Sequence, residues 1–242
     1  MQNIVKGYIR KFRYLSFSSK KLPPFNDQEK NNKYSINLFE NGITIIPSEI
    51  VRNNIDNFDI IISKILDLDL ENIKTEYLKT YKGDKNYKLS LIDYLDKKEI
   101  DKFFNSIFIL DIIREYFNYD PKLVYSDLWL DIPTSDDEKQ TQLFHRDYDN
   151  KFLVKVFIYL NDVSNDNGPF CYIEKSHKNP WVLYNGKNRL NDKEVNSLYS
   201  KDQNLVLTGE KFTMILADTN GFHKGLKPKY QRLMLTGMFV KK

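Results

Sequence analysis

The 242-residue sequence has few groups that could cross-link the chain or anchor it in a membrane. Its single cysteine, Cys171, excludes an internal disulfide and a zinc site built from several thiolates. No segment approaches the roughly 20 apolar residues of a membrane span, and the first residues contain no apolar run of signal-peptide length. We therefore expect a cytoplasmic protein without a membrane partner, in which histidine and carboxylate would have to hold any metal.

The composition is that of a folded globular protein. Hydrophobic residues make up 41% of the chain, including 16 Tyr and 16 Phe, and 29% of residues are charged. No Pro/Gly/Ser-rich linker divides the chain, so residues 1–242 are predicted to form one domain that includes a variable N-terminal arm at 1–37. A monomer or homodimer is expected. The net charge of +4 is dispersed, and the basic stretch at 6–21 has no accompanying nucleic-acid motif, which favours a solvated face and no nucleic-acid partner.

Hydrophobic periodicity changes along the chain. Helical spacing predicts amphipathic helices over 49–66, beginning after an N-cap at Ser48, and over about 97–118. From residue 122 the period is two, with strand-like segments at 123–132, 152–160, 170–173, 212–218 and 232–240. Helices followed by short strands indicate an α+β protein whose C-terminal half is a β-sandwich or small barrel, with the helices packed on one sheet.

A long polar segment interrupts the strand-rich half. Residues 179–208 form a polar insertion, and a short helix is expected near 191–199. Loops of this length inside a compact fold are frequently functional, so a lid over a site is the predicted role.

The stretch QLFHRDYDN at 142–150 contains the HRD triplet that also opens the catalytic loop of protein kinases. That loop requires an Asn five residues after the Asp, where this chain has Phe152, and a glycine-rich strand-turn-strand, which nothing upstream resembles. The kinase interpretation is therefore excluded, and the HxD spacing needs another explanation.

His145 and Asp147 stand two residues apart, which on a strand directs both side chains to one face. His223 follows the strand-like segment FTMILAD and can supply a third ligand, giving the two-histidine, one-carboxylate set associated with non-haem Fe(II) oxygenases. Arg232, nine residues later, offers a planar donor pair suited to a carboxylate. The alternative is a surface pair on a hairpin and a histidine in a capped turn.

Three segments, in this order along the chain, resemble the phytanoyl-CoA dioxygenase-like (PhyH) family of Fe(II)- and 2-oxoglutarate-dependent oxygenases. They are HxD at 145–147, KVFIYLNDVSNDNGPFCYIEKSHK at 155–178 and LADTNGFHKGLKPKYQR at 216–232. The segment ENGITIIP near residue 40 resembles the opening strand of that family. The resemblance implies a double-stranded β-helix (jelly roll) with flanking helices. It implies that His145, Asp147 and His223 bind Fe(2+) and that Arg232 pairs with the distal carboxylate of 2-oxoglutarate. The implied reaction uses O2 to hydroxylate a small-molecule substrate, with release of succinate and CO2.

Three further residues have open interpretations. Lys155 would meet 2-oxoglutarate if its face of the strand lines the barrel, and otherwise is a strand-edge lysine. His177 is a possible metal ligand, but the resemblance favours a structural turn. Arg146 alternates away from the HxD face and is expected at the surface or the substrate rim. A zinc hydrolase and a non-catalytic jelly-roll binding module remain alternatives to the oxygenase; the hydrolase would have no use for Arg232.

Overall fold

The computed structural model describes residues 32–80, 88–135, 137–148, 150–179 and 187–242, so most of the predicted arm lies outside the described residues. Residues 33–37 of that arm already belong to the first helix. The α-helices are α1 (Lys33–Asn41), α2 (Ser48–Asn54), α3 (Phe58–Leu66), α4 (Leu70–Thr80), α5 (Lys97–Phe104), α6 (Ile107–Phe117) and α7 (Asp192–Asn196). Within the described part of the chain, no helix is both long enough and apolar enough to cross a membrane.

Among the described residues, nine strands form two antiparallel sheets. They are β1 (Ile43–Ile46), β2 (Lys88–Ser90), β3 (Pro121–Asp131), β4 (Leu153–Tyr159), β5 (Phe170–Ile173), β6 (Asn204–Leu207), β7 (Met214–Ala217), β8 (His223–Gly225) and β9 (Arg232–Lys241). The large sheet has the order β1-β7-β4-β9-β3-β2, and the small sheet has the order β6-β5-β8. Isolated bridges at Phe144, His145 and Leu190 add two short segments beside β8.

Both faces of each sheet are covered by apolar groups. Phe157, Tyr159 and Met234 of the large sheet meet Phe170 and Tyr172 of the small sheet in a cluster between the two. The helices pack on the outer face of the large sheet, where alternate residues such as Val156 and Ile158 join the largest core cluster. This arrangement is the predicted α+β jelly roll with flanking helices.

A third apolar cluster lies on the outer face of the small sheet. Cys171 and Ile173 of β5 pack there against Phe144, Leu190 and Val195. Leu190 and Val195 belong to the segment predicted as a lid, and their side chains are fully buried. These two side chains thus attach the segment to the core, and the expected short helix is α7. A lid role stays a prediction.

The two long predicted helices are each broken in the structure. The first divides into α2 and α3 at Asn57, which has a left-handed backbone (φ 57°), and the second into α5 and α6 at Ser106, whose backbone is extended. Ser48 begins α2, while Pro47 occupies the N-cap position and Ser48 Oγ bonds to Glu210 instead. The helix α4 and the strands β2, β6 and β8 were not predicted, and β6 lies inside the segment 179–208 that was expected to be a polar insertion.

Candidate metal and co-substrate site

His145 and His223 are brought together by backbone pairing. Each donates its amide hydrogen to the carbonyl of the other, at 3.0 Å, in an antiparallel bridge, and their ring centroids lie 4.3 Å apart. Residues directly opposite in such a bridge project to the same face. The turn Asp218–Gly221, in which Asp218 accepts the amide of Asn220, precedes β8 and sets the position of His223.

Both imidazoles are oriented by a backbone carbonyl. His145 Nδ1 lies 2.9 Å from the Leu143 oxygen, and His223 Nδ1 lies 3.0 Å from the Gly221 oxygen. A carbonyl only accepts hydrogen bonds, so Nδ1 carries the proton and the neutral ring presents the lone pair of Nε2. This is the tautomer that binds a metal through Nε2, with the carbonyl as the orienting partner.

Asp147 completes the cluster. Its amide donates to the Thr219 carbonyl at 2.8 Å, and its Oδ2 lies 3.5 Å from His223 Nε2. One ligand atom from each of His145, Asp147 and His223 lies within 4.8 Å of the others, as in a site that can close around one ion. Two imidazole nitrogens and one carboxylate oxygen suit a divalent transition-metal cation such as Fe(2+). The remaining coordination positions of such a cation would be open to other ligands.

The ionisation states also fit a cation. Burial lowers the pKa of His223 to about 4, against the opposing charge of Asp147, and burial together with His223 holds the pKa of His145 well below its usual value. Burial alone would raise the pKa of Asp147, but the Lys155 ammonium and the two imidazoles lower it below the ordinary range. At neutral pH the three ligands are therefore already deprotonated, and a metal displaces no proton from them.

Lys155 lies on the inner face of β4, with Phe157 and Tyr159. Its Nζ is 2.7 Å from Asp147 Oδ2, and its side chain is one of the groups lining the pocket beside the cluster. Of the two faces considered from the sequence, the one carrying Lys155 faces the pocket. The Lys155 ammonium pairs with the predicted ligand Asp147, and this pairing keeps the Asp147 carboxylate ionised.

The pocket extends from the two imidazoles to a row of charged groups on the large sheet. Lys88 of β2 pairs with Asp131 of β3, and Asp131 pairs with Arg232 of β9, so the three side chains share one face. All three line the pocket, and Asp131 and Arg232 are only 5% exposed. The pocket is thus lined by two of the predicted metal ligands, His145 and His223, and by two cations, Lys88 and Arg232, that flank one carboxylate.

Asp131 holds the guanidinium of Arg232 in place. Arg232 donates from Nε, at 3.0 Å, and from Nη2 to Asp131 Oδ2, while Nη1 donates to the Gly168 carbonyl. These bonds use three of the five N–H groups of the guanidinium. Gly225 faces these nitrogens, and a Cβ at that position would lie 3.3 Å from Nη2. The glycine therefore leaves the end of the guanidinium accessible from β8.

Lys88 and Asp131 were missed from the sequence. Lys88 lies in a three-residue strand without a recognisable pattern, and its contact with Asp131 depends on the β2–β3 register. Burial lowers the pKa of Lys88, and the neighbouring Asp131 carboxylate opposes that shift. In the sequence, the one indication of this charged group was Asp131. It ends the strand LVYSDLWLD and shares a face with Trp129 and Asp127.

The expectation for Arg146 was wrong. The side chain is 5% exposed, and it donates to the carbonyls of Asn220, Ser176 and Asn179 at 3.0, 3.1 and 2.9 Å. Its guanidinium also lies 4.2 Å from the centre of the Phe222 ring. Arg146 alternates away from the metal-ligand face as predicted, but that second face is covered by the segment after β5, so the residue is a buried structural clamp.

His177 lies apart from the cluster. It is in the turn Ser176–Lys178, where Nε2 is 3.1 Å from the Phe39 carbonyl of α1. Gly42, in a left-handed conformation (φ 80°), passes so close that a Cβ there would meet His177 Nδ1 at 2.3 Å. This is the turn position favoured from the sequence.

Comparisons with known proteins place the fold. No family model matches the chain, and no curated protein matches it by sequence. Among solved structures, EctD from S. alaskensis, with 2-oxoglutarate and 5-hydroxyectoine, is 15% identical with a TM-score of 0.57, over 91% of this chain and 82% of that one. The non-heme alpha ketoglutarate dependent epimerase SnoN from nogalamycin biosynthesis is 10% identical, with a TM-score of 0.55 over 86% and 81% of the two chains.

A third similar structure is HygX from Streptomyces hygroscopicus, with nickel, 2-oxoglutarate and hygromycin B bound. It is 12% identical, and the match covers 88% of each chain with a TM-score of 0.56. At these identities the likeness establishes the fold, and it confirms the predicted jelly-roll core with flanking helices. The phytanoyl-CoA dioxygenase-like family itself is not identified by the comparisons.

Proposed function

We propose that the protein is an Fe(II)- and 2-oxoglutarate-dependent oxygenase acting on a small molecule. The observation that carries the proposal is a pocket lined by His145 and His223, which form a cluster with Asp147, and by the Arg232 guanidinium. The similar structures support it, since those of EctD and HygX contain 2-oxoglutarate and SnoN is an alpha ketoglutarate dependent epimerase. A zinc hydrolase would give no role to a buried guanidinium in the pocket.

His145, Asp147 and His223 would hold the ferrous ion through two Nε2 atoms and one carboxylate oxygen. When bound, iron and 2-oxoglutarate together activate O2 for oxidation of a substrate C–H bond, with succinate and CO2 as co-products. The contribution of the chain is to fix three ligands of the right charge on one face and to keep them deprotonated by burial.

The part of the pocket that Arg232 and Lys88 line would bind the second carboxylate of 2-oxoglutarate. Arg232 presents its terminal nitrogens there, and Lys88 adds a second cation beyond Asp131. Asp131 fixes the guanidinium before the co-substrate arrives, which reduces the entropy that would be lost on binding. Lys155, which also lines the pocket, would face the co-substrate while keeping Asp147 ionised.

Among oxygenases of this fold, we infer kinship with the phytanoyl-CoA dioxygenase-like family. The support is the ordered set of HxD at 145–147, the NGPF turn before β5, the SHK turn at 176–178, His223 and a downstream arginine. The single-domain organisation and a monomeric or homodimeric state stay predictions.

Titration of the metal and then of 2-oxoglutarate under anaerobic conditions tests the proposal. The wild-type Fe(II) protein should develop a metal-to-ligand charge-transfer band with 2-oxoglutarate. Alanine at His145, Asp147 or His223 should abolish metal binding, while the matched control His177→Ala should retain it. Loss of iron in His177→Ala together with retention in His223→Ala would reverse the assignment.

Arg232 supplies the decisive variant. A buried, charge-assisted pair costs about 2–5 kcal/mol when one partner is truncated, so Arg232→Ala should weaken 2-oxoglutarate at least about tenfold while the Fe(II) affinity stays nearly constant. Arg232→Lys keeps the charge without the planar fork and should recover only part of the affinity. Absence of a charge-transfer band in the wild type would remove the oxygenase proposal itself.

A further inference from the structure

Gln142 lines the pocket with only one half of its side-chain amide hydrogen-bonded. It ends the short turn Gln140–Gln142, and its Oε1 accepts the amide hydrogen of Lys139 at 3.1 Å. A backbone N–H only donates, so this bond identifies the oxygen and assigns the two N–H groups to the other atom, Nε2. The orientation of the carboxamide is thereby fixed.

The Nε2 atom of Gln142 is buried without an acceptor. The residue is 4% exposed, and no atom in the described part of the chain accepts a hydrogen bond from Nε2. Buried side-chain donors in folded proteins nearly always have a partner, because an unmade bond leaves the cost of desolvation uncompensated. Since Gln142 lines the pocket, a bound molecule is in a position to supply the missing acceptor.

A second glutamine in the same type of turn shows a different arrangement. Gln203 ends the turn Lys201–Gln203, and its Oε1 accepts the amide hydrogen of Ser200 at 3.2 Å. Its Nε2, however, donates to the Glu174 carbonyl at 3.2 Å. The turn itself therefore uses only the oxygen of the glutamine, and the capping role of Gln142 does not explain its two unpaired N–H groups.

The backbone pairing places Gln142 toward Arg232. His145 and His223 pair antiparallel, so the residues before His145 run alongside those after His223. Gln142 thus lies in the direction of Gly225, which faces the Arg232 guanidinium, since a Cβ at Gly225 would be 3.3 Å from Nη2. All three residues line the pocket, so one ligand can contact both Gln142 and Arg232.

The charges on this side of the pocket favour an anionic oxygen as the acceptor. Lys88 and Arg232 flank Asp131, so these three paired side chains carry one excess positive charge. A carboxylate accepts several hydrogen bonds and has no donor of its own, which suits two unpaired amide hydrogens beside a guanidinium. A neutral carbonyl or hydroxyl would leave the excess charge uncompensated.

We propose that Gln142 donates a hydrogen bond to the distal carboxylate of 2-oxoglutarate, beside Arg232, and thereby helps the pocket to select a dicarboxylic co-substrate. This inference rests on the proposed oxygenase function for the identity of the ligand. The carboxylate site of Gln142 and Arg232 is a property of the chain, and it can be measured without turnover.

The test compares two ligands that differ only at the distal carboxylate. Calorimetry on nickel-loaded protein measures the dissociation constants of 2-oxoglutarate and of 5-methyl-2-oxohexanoate, in which an isopropyl group of similar shape replaces that carboxylate. The wild type should bind 2-oxoglutarate at least about a hundredfold more tightly, because the analogue leaves buried polar groups unpaired. Gln142→Leu should lower this ratio about tenfold, which is the loss of one hydrogen bond to a charged group.

Gln142→Glu separates donation to the ligand from capping of the turn. The glutamate keeps an oxygen for the Lys139 amide, but it replaces the donor by a second carboxylate oxygen, which repels an anion. The ratio should therefore fall in Gln142→Glu at least as far as in Gln142→Leu. A capping role alone predicts the opposite, namely that Gln142→Leu lowers the ratio and Gln142→Glu retains it.

Gln203→Leu is the matched control, because it removes the same side chain from the same type of turn, and Gln203 is not among the described residues that line the pocket. It should keep the wild-type ratio. The ratio does not depend on the fraction of folded protein. A wild-type ratio near one, an unchanged ratio in Gln142→Leu, or a wild-type ratio in Gln142→Glu would each overturn the inference.

Glutarate separates this inference from the proposed function, because it keeps both carboxylates and lacks the keto group. If 2-oxoglutarate binds no more tightly than glutarate but still exceeds 5-methyl-2-oxohexanoate in a Gln142-dependent way, the oxygenase proposal falls and the carboxylate site stands. If 2-oxoglutarate binds much more tightly than glutarate and the Gln142 variants keep the wild-type ratio, the oxygenase proposal stands and the role of Gln142 falls.

Discussion

The metal-free protein should lose stability in mild acid because it buries neutral imidazoles. His223 is 4% exposed, and burial lowers its pKa to about 4. An unfolded histidine has a pKa of about 6.5, so the unfolded chain takes up a proton at a pH where the folded site does not. The stabilising contribution is therefore complete above the unfolded pKa and is lost as the pH falls from 6.5 towards 4.

The size of the effect follows from the difference of about 2.5 pKa units, which at 1.36 kcal/mol per unit sets an upper limit of about 3.4 kcal/mol. Between pH 7.5 and pH 5 the linkage relation gives His223 a loss of about 2 kcal/mol. His145 acts in the same direction, since its pKa is also held low by burial. Asp218 acts against it, because burial raises its pKa and the folded state gains stability as that carboxyl is protonated. Asp147 stays ionised in both states over this range and adds no slope.

Urea unfolding in the presence of a chelator, at pH 7.5 and pH 5, measures the loss directly. In His223→Gln the decline in the free energy of unfolding between the two pH values should be smaller than in the wild type by about 2 kcal/mol. Lys201→Gln, at an exposed position, should reproduce the wild-type decline. Equal declines in His223→Gln and wild type would refute the reasoning that His223 is neutral because it is buried.

Two further changes probe the site and the core. Lys155→Met should bind Ni(II) at least a few-fold more tightly, as measured by calorimetry. The reason is that the Lys155 ammonium lies 2.7 Å from Asp147 Oδ2 and competes with a metal for that oxygen. Weaker binding would mean that Lys155 mainly orients the carboxylate. Gly237→Ala should lower the free energy of unfolding in urea by about 1–3 kcal/mol, because the Cβ of the alanine would lie 2.7 Å from Phe104 Cδ1. An unchanged midpoint of the urea transition would show that the Phe104 ring can move aside.

The features that could be predicted from sequence depend on local spacing. Period-two segments gave the strands, and the i, i+2 spacing of His145 and Asp147 gave a shared direction that the structure retains. The position of His223 directly after a strand and a turn was enough to expect it beside them. These patterns need only the geometry of one or two neighbouring segments.

The features that were missed depend on pairing between distant segments. Lys88 meets Asp131, and Asp131 meets Arg232, only because β2, β3 and β9 pair in one particular register. Nothing in the spacing of these residues along the chain encodes that register, which is set by the packing of whole sheets. The break at Asn57 is similar, since the hydrophobic spacing continues through it while the backbone turns left-handed.

The wrong prediction for Arg146 shows that both faces of the small sheet are covered by other parts of the chain. Alternation correctly turned Arg146 away from the metal ligands, but exposure did not follow, because residues 187–208 cover that outer face. Leu190 and Val195 hold this segment in place by burial, and the ion pair between Lys224 and Asp192, at 2.7 Å, ties it to β8. A segment fixed in this way can hold its side chains in register beside His145 without a closing motion.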